Sequence, residues 1–65
     1  MLEATQRERW IANTLAGLAE AARLRGDTER AAVLLADARE RYASRADALG
    51  VADVDERLRA LLSAR

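Results

Sequence analysis

The sequence predicts an all-α fold, in which a helical hairpin and a C-terminal capping helix form a three-helix unit. The first observation is composition: the 65 residues include 16 alanines, 10 leucines and 11 arginines, all strong helix formers. The second is that β-branched residues are few and scattered and that proline is absent. The third is that apolar residues recur at intervals of three and four. We therefore expect one helical domain over 1–65, with helices at roughly 4–25, 28–44 and 47–64.

The first helix is predicted from a capping sequence and an apolar stripe. Thr5-Gln6-Arg7-Glu8 has the pattern of a capping box, in which Thr5 and Glu8 bond each other's backbone amides. A glycine at position 17 interrupts the helix at a cost of about 1 kcal/mol, or marks the close approach of another backbone. The predicted core face consists of Ile11, Leu15, Leu18 and Ala22, widened by Trp10 and Ala19.

The first helix is expected to end at Gly26, in a left-handed conformation, because glycine favours that conformation after a helix. Asp27 or Thr28 can then cap the second helix. On the outer side of the second helix, Asp37 precedes Arg41 by four residues, which is the favourable order for an ion pair along a helix. The predicted buried stripe is Ala31, Leu35, Ala38 and Tyr42, with Ala31 and Ala38 at the seam between the first two helices.

The break between the second and third helices is expected between Ser44 and Asp53, and it is expected to contain Gly50. The start of the third helix has two interpretations, since the chain can be helical from Asp47 or can be capped by Asp53. The stripe of the third helix is Val54, Leu58 and Leu61, with Val51 and Leu62 beside it. Two more acid-first pairs are Asp53 with Arg57 and Asp55 with Arg59.

Composition argues against several classes of function. The net charge is zero, so we expect no net field that draws the chain to nucleic acid or to a membrane of anionic lipid. Neither cysteine nor histidine is present, so we expect no disulfide, no metal site and no cofactor. The three acids Asp53, Asp55 and Glu56 are explained by an acidic helix N-terminus. We expect a non-enzymatic protein that is soluble and cytoplasmic, because the sequence has no secretory signal pattern and no membrane-length apolar run.

The chain contains a weak internal repeat of forty residues, which pairs Ile11-Ala12-Asn13 with Val51-Ala52-Asp53 and Leu18 with Leu58. Residues 12–45 resemble a tetratricopeptide repeat. The residues that carry the resemblance are Leu15, Leu18-Ala19, Gly26-Asp27, Ala31, Leu35 and Ala38. The chain departs from the family pattern at Ala22, where an aromatic residue is common, and it lacks the closing proline. The longer spacing is similar to that of repeats in large ATP-dependent bacterial transcriptional regulators.

The resemblance implies a module that binds a protein or a peptide. Its groove face would consist of Asn13, Ala16, Gly17, Glu20 and Arg23. The clamp for peptide carboxylates found in some family members is missing, because Gly17 and Glu20 stand where donors are expected.

Two other functions stay open at the level of sequence. The first is a structural homo-oligomerisation unit, expected as a homodimer, with Trp10 and Leu24 as interface anchors. Trp10 can instead cover the open end of the helical stack. The second is DNA binding, because Ala48-Leu49-Gly50-Val51 is similar to the turn of a helix-turn-helix. The acids that follow would repel phosphates, so we expect no nucleic-acid partner.

Overall fold

The computed structural model describes residues 4–63, with the backbone alone at positions 4 and 5. Its three α-helices are α1 (Ala4–Leu24), α2 (Thr28–Ser44) and α3 (Ala48–Ser63). No strand occurs among these residues, so the predicted all-α, three-helix fold is confirmed. The first helix ends one residue earlier than predicted and the third begins one residue later. The predicted end of the third helix at residue 64 lies outside the described residues. None of the described helices is long and apolar enough to cross a membrane.

Helix α2 lies in the middle and packs against both α1 and α3. The backbone occupies 39 × 21 × 12 Å, so the three helices form a flat, elongated layer rather than a closed bundle. The buried face of α2 is the predicted stripe: Ala31 and Ala38 are fully inaccessible, and Leu35 and Tyr42 are buried beside them. Because both neighbours use this stripe, a sequence period of four, three and four was sufficient to identify it.

The buried face of α1 agrees with the predicted one at Ala19 and Ala22 and differs from it at the larger side chains. Leu18 is 51% exposed, and Ile11 and Leu15 are only half-buried. The residues that α1 buries are all alanines: Ala12, Ala16, Ala19 and Ala22. The expectation that the largest apolar residues face inward was wrong here, because alanines let the two backbones approach closely and leave larger side chains at the edges of the contact.

Helix α3 packs on α2 through the predicted stripe. Val54 is fully buried, Leu61 is buried, and Leu58 and Val51 are partly buried. Leu62, expected beside this stripe, is 53% exposed. The second half of the core therefore rests on branched aliphatic side chains, whereas the α1–α2 contact rests on alanine.

The turn between α1 and α2 has the predicted glycine geometry. Gly26 has a φ of +83°, and its amide donates to the Arg23 carbonyl at 3.0 Å. The Asp27 amide donates to the Ala22 carbonyl at 2.9 Å. These two bonds form a Schellman motif. The Asp27 carboxylate then accepts the Arg30 amide at 3.2 Å, so Asp27 rather than Thr28 caps α2.

The turn between α2 and α3 repeats that geometry twenty residues later without a glycine. Ala46 has a φ of +55°, and its amide donates to the Ala43 carbonyl at 3.0 Å. The Asp47 amide donates to the Tyr42 carbonyl at 2.9 Å, and the Asp47 carboxylate accepts the Gly50 amide at 3.0 Å. Asp47 therefore has the capping role, and the interpretation of Asp53 as the cap was wrong.

Gly50 is inside α3, so the prediction that it belongs to the break was wrong. It lies against the ring of Tyr42: a Cβ at this position would be 2.6 Å from Tyr42 Cγ and 2.8 Å from Cε1. Gly50 is therefore required for close packing of α3 on α2, since no side chain fits between the backbone and the ring.

Two predicted ion pairs are present and one is replaced. Arg41 Nε is 3.4 Å from Asp37 Oδ1, and Arg57 Nε is 3.3 Å from Asp53 Oδ2. Asp55 does not pair with Arg59: it accepts a hydrogen bond of 2.5 Å from Arg39 Nε on α2. These pairs are exposed to water, so each adds at most about 1 kcal/mol.

The predicted capping box is not the start of α1, because the helix already includes Ala4 and Thr5. The Thr5 side chain lies outside the described part of the chain. Glu8 accepts a hydrogen bond of 3.4 Å from Arg41 Nη1 and so connects α1 to α2 instead.

The two turns predict opposite effects of reciprocal substitutions. Ala46→Gly should stabilise the domain by about 1 kcal/mol, because it relieves an L side chain in a left-handed conformation. Gly26→Ala should destabilise it by about the same amount, since only the backbone conformation opposes a Cβ there. Urea unfolding followed by circular dichroism measures both. A loss of stability in Ala46→Gly would contradict the left-handed turn.

The packing of Gly50 predicts that Gly50→Ala destabilises the domain by about 1–3 kcal/mol, because the added methyl group overlaps the Tyr42 ring. Gly17→Ala is the matched control within a helix. Nothing lies within 4 Å of its Cβ position, so helix propensity should stabilise it by up to about 1 kcal/mol. Both are measured by urea unfolding in dilute solution, and equal effects of the two substitutions would refute the Gly50–Tyr42 contact.

Candidate functional site

All three helices line a cleft of about 410 Å³, hereafter the α1–α3 cleft. Helices α1 and α3 form its two walls, and α2 together with buried alanines of α1 forms its floor. Ten residues line it: Ala16, Ala19, Glu20, Arg23, Thr28, Ala31, Leu35, Arg57, Ala60 and Leu61. The cleft exists because α1 and α3 each pack on α2 and leave a space between them. Its size is within the range of ligand sites in proteins.

The floor and the rim of the cleft differ in chemistry. The floor is apolar and made mostly of small side chains, with Ala19 and Ala31 buried and Leu35 and Leu61 closing its sides. The rim carries charge. An apolar floor below a charged rim suits a ligand that inserts an apolar group and remains polar elsewhere.

The rim charges are paired with each other. Arg23 Nε donates to Glu20 Oε2 at 3.1 Å, and Arg23 Nη2 makes a second bond to Oε1. The hydrogen bonds from Arg23 lower the pKa of Glu20 and raise the pKa of Arg23, and the charge of Arg57 lowers the pKa of Glu20 further. Arg57 also pairs with Asp53. The rim therefore stays charged at neutral pH, with no positive group set apart as a clamp.

The predicted groove residues divide between this cleft and other surfaces. Ala16, Glu20 and Arg23 line the cleft, with Ala16 as part of its buried floor. Asn13 does not line it, since its Oδ1 accepts a hydrogen bond from the Tyr42 hydroxyl. Gly17 faces open space. The predicted anchors Trp10 and Leu24 are 61% and 72% exposed, so in this structure Trp10 does not cover the stack.

Sequence reasoning missed the contribution of α3 to the cleft, made by Arg57, Ala60 and Leu61. A signal for two of these residues was present. The forty-residue offset that relates α1 to α3 pairs Gly17 with Arg57 and Glu20 with Ala60. Extending the groove assignment by one repeat would have placed both positions on the opposite wall.

Two of the three acidic residues of α3 have partners in ion pairs. Asp53 pairs with Arg57, and Asp55 accepts its hydrogen bond from Arg39. Gly50, which made this region similar to a helix-turn-helix turn, is helical. Of these two ion pairs, Asp55–Arg39 connects α3 to α2, whereas Asp53–Arg57 lies within α3.

Tyr42 lies outside the lining of the cleft and connects all three helices. It belongs to α2, its hydroxyl donates to Asn13 on α1, and its ring packs against Gly50 on α3. Burial raises the pKa of Tyr42, and the carboxylates of Asp47 and Asp53 raise it further.

Comparison of the chain with protein-family models, curated proteins and solved structures finds no match.

The raised pKa of Tyr42 predicts that stability falls as the pH rises above about 10, the ordinary value for tyrosine. The unfolded chain ionises first, so the contribution of the neutral hydroxyl is present below that pH and is lost as the pH rises through the folded pKa. Urea unfolding at several alkaline pH values measures this effect, and absorbance follows the single tyrosine. Tyr42→Phe is the control: it should lose about 0.5–1.5 kcal/mol at neutral pH and show a weaker alkaline decline. An identical decline in this variant would rule out Tyr42 as its source.

Proposed function

We propose that the chain is a non-catalytic protein-interaction module of the tetratricopeptide-repeat type, part of or derived from a larger bacterial regulator. The α1–α3 cleft would bind a segment of its partner. The observation that carries this proposal is the construction of the cleft, since residues of all three helices line a space of about 410 Å³. A helical hairpin that opens such a groove toward the next helix is the feature that repeat proteins use for binding.

The packing supports the type of module proposed. The small residues expected where repeat helices cross are Ala19, Ala31 and Ala38, and all three are at most 2% exposed. The same capped turn, with Asp27 and then Asp47 as the cap, joins each successive pair of helices. One local turn geometry therefore serves both connections.

The paired rim charges indicate which part of a ligand supplies binding energy. Arg23 and Arg57 are both within reach of carboxylates of this chain, so a terminal carboxylate of the ligand would have to compete with Glu20 and Asp53. The apolar floor has no such competitor. We infer that the ligand is an internal peptide segment that inserts one large apolar side chain above Ala19 and Ala31.

A second candidate function, homo-oligomerisation, is favoured by a separate observation. Trp10 and Leu24 project from α1 with more than half of their surfaces exposed. They lie outside the set of residues that line the cleft, so the two functions use different surfaces of the same helix.

Peptides that bind the cleft can be selected from a displayed library of random short peptides, with this protein as the target. Selected peptides should share a large apolar residue, and their addition to isotope-labelled protein should shift the amide resonances of cleft residues. Ala60→Trp should weaken their binding about tenfold or more, because the indole occupies the cleft. Ala36→Trp, at an exposed alanine of α2, is the matched control and should bind normally. Selection of no peptide, or shifts restricted to other surfaces, would defeat the proposal.

A further inference from the structure

The face of α1 opposite its buried alanines is exposed and carries no charge. It consists of five residues at intervals of four, three, four and three, hereafter the outer stripe: Trp10, Thr14, Gly17, Ala21 and Leu24. All five are exposed. This heptad spacing is typical of a helix that packs along another helix. The stripe has large side chains at both ends and small ones in the middle.

The isolated chain does not account for the outer stripe. A glycine in a helix interior lowers helix stability, and nothing lies within 4 Å of the Cβ position of Gly17 that would require a glycine there. Trp10 and Leu24 expose large apolar areas. The hydroxyl in the stripe is already satisfied, because Thr14 Oγ1 donates to the Trp10 carbonyl at 2.8 Å. Covering the middle of the stripe, at Thr14, Gly17 and Ala21, would therefore leave no side-chain hydrogen-bonding group unpaired.

We propose that the outer stripe binds the same stripe of a second copy, as an antiparallel helix pair related by a two-fold axis at Gly17. In this arrangement Trp10 of each copy packs on Leu24 of the other, and Thr14 faces Ala21. The small residues in the middle then let the two α1 backbones approach closely. This inference deepens the second candidate function, and it concerns a face that the α1–α3 cleft does not use.

The antiparallel direction follows from the order of sizes along the stripe. Trp10 and Leu24 are separated by about 21 Å along the helix. A parallel pair would place two tryptophans at one end and two leucines at the other, which would separate the helices unevenly. An antiparallel pair places one tryptophan at each end and keeps the spacing even, and it also aligns the helix dipoles favourably.

The surface area of the chain is consistent with a second copy as the occupant. The chain exposes 4766 Å², whereas a compact monomer of 7.1 kDa exposes about 4,100 Å². The excess is about 650 Å² per copy, and two copies that covered it would bury about 1,300 Å² in total. That area is at the lower end of specific interfaces, so we expect a dimer that dissociates on dilution.

Sedimentation and thermal melts across a hundredfold dilution test the dimer. The wild-type chain should double its mass at high concentration, and its melting temperature should rise with concentration. Ala21→Glu should abolish both effects while its melt in dilute solution equals that of the wild type, because the new side chain is exposed in the monomer. Ala36→Glu on α2 is the control and should dimerise normally. A wild-type chain that stays monomeric would overturn the proposal, as would a dimer that Ala21→Glu leaves intact.

Disulfide trapping tests the antiparallel register, since the chain has no cysteine of its own. An equimolar mixture of Thr14→Cys and Ala21→Cys chains, oxidised at high concentration, should give mainly the mixed disulfide between positions 14 and 21. Ala36→Cys should cross-link far more slowly. A predominance of 14–14 and 21–21 disulfides would show a parallel pair and overturn the register. Cross-linking no faster than that of Ala36→Cys would overturn the interface itself.

Discussion

The position of the Tyr42 side chain constrains the rest of the structure. Its ring occupies the space that a side chain at position 50 would fill, and its hydroxyl bonds Asn13 on α1. Its carbonyl accepts the Asp47 amide and thereby closes the second turn. Since α1 and α3 both attach to α2, one buried aromatic residue that contacts both fixes their relative positions at that end. The α1–α3 cleft follows from this arrangement, because the outer helices pack mainly on α2 and only weakly on each other.

The alanine seam between α1 and α2 explains why so much apolar surface faces water. Ala12, Ala19, Ala31 and Ala38 allow close packing, but each removes little apolar area from solvent. Val54 is the only large side chain among the described residues that is fully buried. A core of this kind is thin, and the larger side chains of α1 are left at its edges or on the opposite face. The exposed outer stripe is therefore a consequence of how α1 packs on α2.

The sequence was most informative where a pattern had one physical cause. The stripe of α2 was predicted correctly because it packs on both neighbours, so its apolar periodicity is complete. The predicted stripe of α1 placed leucines where the structure buries alanines. Periodicity locates apolar residues along a helix, but it does not show whether alanine or leucine faces the neighbouring helix. Gly50 was assigned to a turn because helix propensity cannot reveal a ring from another helix. Ala46 gave no signal at all, since its left-handed conformation is imposed by the capping bonds around it. The α3 wall of the cleft could be predicted only from the forty-residue repeat. That repeat was visible in the sequence, but the groove residues were predicted on α1 alone.

The two proposed surfaces lie on different faces of α1, and this separation has a consequence for binding. Ala16, Glu20 and Arg23 face the cleft, whereas Trp10, Gly17 and Leu24 belong to the outer stripe. A dimer formed through the stripe would leave both clefts open, one on each side of the paired α1 helices. A partner with two suitable segments would then bind the second cleft as an intramolecular step, at an effective concentration set by its linker. Weak contacts in a cleft of about 410 Å³ would thereby gain affinity without any new contact, so self-association and peptide binding would reinforce each other.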